Sequence, residues 1–260
     1  MVGKTKVILN FNTSIADGYN SKSQIARILT EDWVIRNSYC PNCGENNLNN
    51  YMNNNPAADF FCSRCSSDYE LKSSKSTLTN KVVDGAYEVM INKINSYTNP
   101  HFFFLNYSNE YTVNDFFCVP KHFFVPSIIE KRKPLTSSAR RSGWIGCNLL
   151  IKNLPSSGKI YLIQNRNVLD YHTVLNKWKR TSFLEAEEIK NRRWLLELIS
   201  IIDNIPKNSF SLAEVYRYEE TLKLKFPKNN FIKEKIRQQL QVLRDRGFIQ
   251  FNGNGSYQKK

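Results

Sequence analysis

Cys40, Cys43, Cys62 and Cys65 make two Cys-x2-Cys pairs separated by 18 residues. Zinc takes four soft donors at tetrahedral corners, and two short knuckles joined by a hairpin supply them without a large core of their own. Four thiolates close the coordination shell and leave no position for water, so the ion expected here is structural. Asp59 stands just ahead of the second pair, and Glu70 and Lys72 follow it. Those three have the chemistry of a different metal. Hydrolysis of a phosphodiester needs a divalent cation, and Mg²⁺ is held by one or two carboxylates together with substrate oxygens. Asp59 and Glu70 are the candidate ligands. Lys72 is placed to orient or deprotonate the attacking water and to offset charge on the phosphate. Glu31 is either a further acid of this site or, as its neighbour Asp32 favours, a surface residue.

Elements that would position these groups can be read around them. Ile25, Ile28, Leu29, Trp33 and Val34 recur at helical spacing and predict a helix from about Ser23 to Arg36 leading into the first knuckle. Residues 57–62 and 68–73 read as paired strands. On the second of these, alternation turns Glu70 and Lys72 to one face and Leu71 to the core. The asparagine-rich stretch Asn42 to Asn55 reads as an exposed loop between the knuckles. Asp84-Gly85 introduces a helix carrying Met90, Ile91 and Ile94. Two apolar strands follow, His101 to Tyr107 and Val113 to Val119, and a third spans Lys159 to Gln164. The fold class is α/β, a mixed sheet flanked by helices with an inserted four-cysteine zinc site. From about residue 184 the pattern becomes three helices, 193–202, 211–224 and 230–246. A hairpin around Asn252-Gly253-Asn254 ends the chain, which describes a winged helix-turn-helix. The expected domains are therefore 1–183 and 184–260.

Lys and Arg number 37 against 23 Asp and Glu, a net charge of +14 that points to a polyanionic partner, nucleic acid first. No apolar run approaches a membrane span and the start lacks a secretory apolar stretch, so a cytoplasmic protein is expected. Cys118 and Cys147 sit in apolar surroundings and read as buried free thiols. His101, His122 and His172 lack metal spacing with one another and read as packing or surface residues; Trp33, Trp178 and Trp194 read as core.

Asp59 with Glu70-x-Lys72 has the spacing of the PD-(D/E)xK nuclease pattern. Taken alone it is a short motif, equally an ion pair on a solvated strand. Longer stretches are more specific. Residues 24–34 (Gln24-Ile25-Ala26-Arg27-Ile28-Leu29-Thr30-Glu31-Asp32-Trp33-Val34), Tyr39-Cys40-Pro41-Asn42-Cys43-Gly44 and Ala58-Asp59-Phe60-Phe61-Cys62 resemble the DpnI-type methyl-directed type II restriction endonucleases. So do Asp84-Gly85-Ala86-Tyr87, the run Ala139 to Asn148, and Ile232 to Leu240, so the resemblance covers almost the whole chain. It implies a PD-(D/E)xK endonuclease domain with a zinc site, joined to a winged helix. The implied activity is Mg-dependent cleavage of double-stranded DNA at GATC carrying N6-methyladenine, between A and T, leaving blunt ends. Asp59, Glu70 and Lys72 inherit the catalytic roles and the four cysteines the zinc. A monomer is implied. The motif's proline stands at Pro56 rather than next to Asp59, a departure the carboxylate chemistry tolerates.

Reading one methyl group calls for an apolar surface. Trp144, between Gly143 and Gly146 and after Arg140-Arg141, is the candidate, against the alternative of a core tryptophan beside a basic turn. On the last helix Lys233, Lys235, Arg237, Gln238 and Gln241 leave the apolar stripe and suit a major groove, or else form a solvated face. Lys259 and Lys260 are expected on phosphates. Two other functions compete. A non-enzymatic zinc-ribbon and winged-helix regulator would retain DNA without cutting it, and a repair nuclease of the same fold would cut without regard to methylation.

Overall fold

The computed structural model describes residues 7–51, 58–75, 78 and 80–260. Its contacts separate two units, Met1–Leu154 with Gly158–Lys179, and Pro155–Ser157 with Arg180–Lys260. The first unit begins with helix α1 (Lys22–Asn37), strands β1 (Asn49–Asn50), β2 (Phe60–Phe61), β3 (Asp68–Ser74) and β4 (Val82–Ala86), and helix α2 (Tyr87–Asn95). It continues with β5 (His101–Tyr107), β6 (Val113–Val119), β7 (Ile129–Lys131), β8 (Gly146–Leu149), β9 (Ile160–Gln164), β10 (Asn167–Val168) and helix α3 (Tyr171–Thr181).

Seven strands form one mixed sheet in the order β1-β2-β3-β5-β6-β9-β10. β3 and β5 run parallel; the other neighbours are antiparallel. All residues of β5 are buried, as a continuous Phe-rich run demands of a central strand covered on both faces. Phe103 and Leu105 enter the core that Leu29, Trp33 and Val34 of α1 and Trp178 of α3 complete. The alternate residues turn away, and Phe102 meets Phe124 with ring centroids 4.6 Å apart. α1 buries Leu29, Thr30, Trp33, Val34 and Asn37, a stripe at helical spacing. The indole N–H of Trp33, which needs a partner once buried, donates to the Ile8 carbonyl at 2.7 Å.

Three features differ from the sequence reading. Part of the asparagine-rich stretch is strand: Asn49 and Asn50 pair with Phe61 and Phe60, and Leu48 is buried. A ladder is made by backbone groups, so exposed asparagines join it once Leu48 anchors the edge. Pro56 and Ala57 lie outside the described residues. Asp84-Gly85, read as the approach to a helix, belongs to β4, which forms a second antiparallel sheet in the order β4-β8-β7. The β-branched pair Val82-Val83 favours that strand. Trp33, Trp178 and Trp194 are all core residues, as are the thiols of Cys118 and Cys147. His101 and His122 are buried, and His101 accepts the Lys121 N–H at 2.9 Å; His172 is exposed.

The second unit runs α4 (Ile189–Asn204), β11 (Ser209–Ser211), α5 (Leu212–Tyr216), α6 (Glu219–Lys225), α7 (Ile232–Asp245), β12 (Ile249–Phe251) and β13 (Ser256–Lys259). Its sheet has the order β11-β13-β12, so the final hairpin pairs back onto the short strand after the first helix, as a winged helix-turn-helix requires. The stretch 211–224, read as one helix, is two: the Tyr218 N–H bonds Val215 three residues back at 3.1 Å, and the helix restarts from there. Ser211 and Glu214 form a reciprocal capping box at the start of α5. The wing turn is wider than a two-residue Asn-Gly turn. Phe251 pairs with Tyr257, and Gly253, Asn254 and Gly255 all have positive φ, at 89°, 47° and 69°. Residues 155–157 join this unit through Asp203, which accepts the Ser157 N–H at 2.8 Å and its hydroxyl at 2.7 Å.

Candidate active site and zinc centre

The two knuckles are built alike. In the first, Gly44 N–H bonds the Cys40 carbonyl at 2.8 Å and Cys40 N–H bonds Glu45 at 2.9 Å. In the second, Ser66 bonds Cys62 and Cys62 bonds Ser67, both at 2.9 Å. Each turn closes on a left-handed residue, Gly44 at φ 80° and Ser66 at φ 56°. Gly44 is required twice over, since a Cβ there would overlap the Tyr171 hydroxyl, which itself donates to the Gly44 carbonyl at 2.8 Å.

The knuckles bring the four sulfurs within 4.8 Å of one another, with Cys40 and Cys65 at 3.5 Å and Cys43 and Cys62 at 3.6 Å. Sulfurs about 2.3 Å from a tetrahedral zinc stand about 3.8 Å apart, so the cluster fits that ion. Burial first, and the neighbouring cysteines with it, push the Cys40 thiol up and the Cys43 thiol up to about 11. A dication among them reverses that preference and makes thiolates, so zinc uptake and proton release go together. The Tyr69 hydroxyl, 3.0 Å from the Cys40 sulfur, and Asn42, whose amide reaches Ser67 at 2.9 Å, fix the surroundings.

Asp59 sits where the sheet meets the second knuckle. Its N–H bonds the Tyr69 carbonyl and its carbonyl accepts from Tyr51, both at 2.9 Å. Its Oδ2 accepts the Leu71 N–H at 2.6 Å, which draws the side chain across β3 toward Glu70 and Lys72. On β3 the alternation holds: Tyr69 is core, Leu71 packs against it, and Glu70 and Lys72 take the opposite face. Lys72 Nζ lies 2.5 Å from Glu70 Oε1 and 5.9 Å from the centre of the Phe102 ring. A cleft of ≈ 580 Å³ opens here, lined by Asp59, Lys72 and Ser73 and, from α1, by Arg27, Thr30 and Glu31. Glu31 is therefore a half-buried member of the cleft rather than a surface residue. Its helical register, one residue after buried Thr30, turns it toward β3.

Three carboxyls and one ammonium set the electrostatics here. Burial raises the carboxyls of Glu31, Asp59 and Glu70 above their ordinary range; Asp59 adds to the rise at Glu31, and Asp84 and Asp59 to that at Glu70. A bound divalent cation would relieve all three, and hard oxygen donors of this kind suit Mg²⁺. For Lys72 burial works toward the neutral amine, but Glu70 and Asp84 overcome it, and the ammonium is held charged. Asp84 is the residue the sequence reading missed: its side chain is 4% exposed and its Oδ1 is 2.5 Å from Lys72 Nζ. An acid inside the apolar strand pattern Val82-Val83-Asp84 was the available signal.

Residues 7–187 match the DpnI family, described as the Dam-replacing family, and residues 190–259 match the Dam-replacing HTH domain. The chain belongs to the DpnI family. By family it is a restriction nuclease, and its helix-turn-helix domain makes it a DNA-binding protein. No helix among the described residues is long and apolar enough to cross a membrane.

The DpnI-family residues expected on DNA fall into separate groups. Arg140 and Arg141 are exposed on the turn between β7 and β8, and Trp144 is half-buried at its end. A Cβ on Gly146 would stand 2.7 Å from the Trp144 ring, so this glycine makes room for the indole itself. On α7, Lys233, Arg237, Gln238 and Gln241 are exposed and Lys235 is half-buried. Lys233 pairs with Glu219 at 3.3 Å, and Arg237 bonds the Tyr216 hydroxyl at 2.8 Å and Glu234 at 3.1 Å, while Lys235 reaches Gln238 at 2.8 Å. Lys259, expected on phosphate, instead donates to the Ile205 carbonyl at 2.5 Å, because β13 packs it inward; Lys260 is exposed.

Proposed function

We propose that the chain is a methyl-directed type II restriction endonuclease that hydrolyses both strands of double-stranded DNA at GATC carrying N6-methyladenine and leaves blunt ends. It acts as a monomer in the cytoplasm, with Mg²⁺ as catalytic and Zn²⁺ as structural ion. Residues 1–183 form the endonuclease domain and 184–260 the winged-helix DNA-binding domain. One observation carries the reading: Asp59, bonded to the Leu71 N–H, stands beside the Glu70–Lys72 ion pair, and Asp59 and Lys72 line one cleft, with raised carboxyls and a charged ammonium. A regulator that only binds DNA has no use for that cluster.

Asp59 and Glu70 would hold the magnesium, with Glu31 close enough to supply further negative charge. When bound, the ion polarises the phosphoryl oxygen and favours ionisation of water. Lys72 compensates charge that builds on the phosphate in the transition state. Trp144 offers the apolar face for the N6-methyl group, and Arg140 and Arg141 lie on its turn for phosphate or guanine. In the second domain Lys233, Lys235, Arg237, Gln238 and Gln241 of α7 are assigned to the major groove and backbone. The test is cleavage of matched plasmids that differ only in adenine methylation at GATC. Zinc-loaded protein with Mg²⁺ is expected to linearise the methylated plasmid alone. Cutting of neither would overturn the nuclease reading, and equal cutting its methyl dependence.

A further inference from the structure

Lys72 is held from two sheets. Glu70 reaches it from β3 and Asp84 from β4, each with an oxygen 2.5 Å from Nζ. The second anion is the more fixed. Asp84 pairs with Cys147 across β8, and the register shifts between Asp84 and Ala86, a bulge of the kind that re-aims a side chain. Just beyond it the Tyr87 N–H is bonded to the Ile145 carbonyl at 3.1 Å. The other oxygen of Asp84, Oδ2, is buried without a hydrogen-bond partner among the described residues. Leaving a carboxylate oxygen so is costly, and stability alone does not account for the acid at this place.

Glu70 carries two demands that conflict. As a ligand it must face a divalent cation, and a cation on that carboxylate repels the ammonium bound to it. With Glu70 as its only partner, Lys72 would leave when the metal arrived. We propose that Asp84 is a positioning residue for Lys72, a fixed anion that keeps the ammonium at the reaction site when Glu70 turns to the metal. The proposal rests on the nuclease reading above.

Asp84→Asn keeps the shape and removes the charge. In single turnover on N6-methylated GATC plasmid, with enzyme in excess and Mg²⁺ present, its cleavage rate constant is expected to fall about tenfold to hundredfold. The amplitude, and DNA affinity measured without Mg²⁺, stay at the wild-type level. A second readout does not need turnover: reductive methylation of lysines without DNA, mapped by peptide mass spectrometry. Lys72 of the wild type is expected to stay protected with and without Mg²⁺, whereas in Asp84→Asn adding Mg²⁺ removes the protection. An unchanged rate constant, or loss of protection in the variant irrespective of Mg²⁺, would overturn the proposal, the latter marking Asp84 as merely structural. Failure of the wild type to cut would instead strike the nuclease reading, and the labelling comparison would still decide whether Asp84 retains Lys72.

Discussion

The zinc centre and the acidic cleft lie on adjoining parts of one sheet and are built on opposite plans. The zinc centre is local. Each knuckle closes on itself through the same pair of backbone hydrogen bonds, and the four clustered cysteines could by themselves complete the shell of a zinc ion. The cleft is assembled from a distance: Asp59 from the approach to β2, Lys72 from β3 and Glu31 from α1 line it, and Lys72 is held by Glu70 of β3 and by Asp84 from a separate sheet. A closed site serves to hold chain together, while an open one exposes charge that only a cation or substrate can satisfy. The two meet at Asp59, three residues before Cys62, so a zinc ion on the cysteines would set the position of the proposed first catalytic acid.

The largest effect should come from attacking the scaffold. Structural zinc contributes about 10 to 16 kcal/mol of apparent binding free energy, as much as the whole stability of a typical domain. Cys62→Ser, or extraction by a strong chelator, is therefore expected to melt the first unit, followed by circular dichroism and metal analysis, with cleavage lost as a consequence. Retention of a cooperative thermal transition and of cleavage without zinc would break the comparison.

A mid-sized effect is expected at the methyl-reading surface. Trp144→Ala should lower the preference for methylated over unmethylated GATC by about 1 to 3 kcal/mol, or roughly 10- to 200-fold, with zinc content and fold intact. Competition cleavage of mixed substrates measures it, and an unchanged ratio would return Trp144 to a packing role.

The smallest effects separate the two knuckles from each other. Gly44→Ala adds a Cβ in a left-handed conformation, costing about 1 to 2 kcal/mol, and overlaps Tyr171 as well. Ser66→Gly relieves the same backbone strain on an exposed turn and should leave stability within about 1 kcal/mol of wild type. Thermal unfolding of both variants tests whether the resemblance of the knuckles extends to their energetics.

This difference also explains what the sequence made legible. Cys-x2-Cys spacing declares a local site by itself, and the alternation on β3 put Glu70 and Lys72 together because strand geometry has period two. The central strands β5 and β6 were readable from continuous apolar runs and the C-terminal helices from helical periodicity, apart from the break between α5 and α6. The acid inside Val82-Val83-Asp84 was visible in the sequence, but its contact with Lys72 was not, because that depends on the long-range placement of β4, which pairs with β8. Glu31 was misplaced for a related reason: beside Asp32 it reads as a surface acid, and only the cleft between α1 and β3 shows where it lies. Lys259 reads from the sequence as a phosphate-facing cation beyond the hairpin, whereas it lies on β13 opposite Ile249 and reaches the Ile205 carbonyl.

The division of labour between the two sites is tested most directly by Asp59→Ala in the full chain, assayed on methylated GATC plasmid with Mg²⁺. Loss of a metal-binding carboxylate removes several kcal/mol of transition-state stabilisation, so cleavage is expected to fall about 10³-fold or more. One zinc per chain, the melting temperature and binding to methylated DNA should all remain at wild-type values. Cleavage within tenfold of wild type, or loss of zinc along with cleavage, would contradict the account.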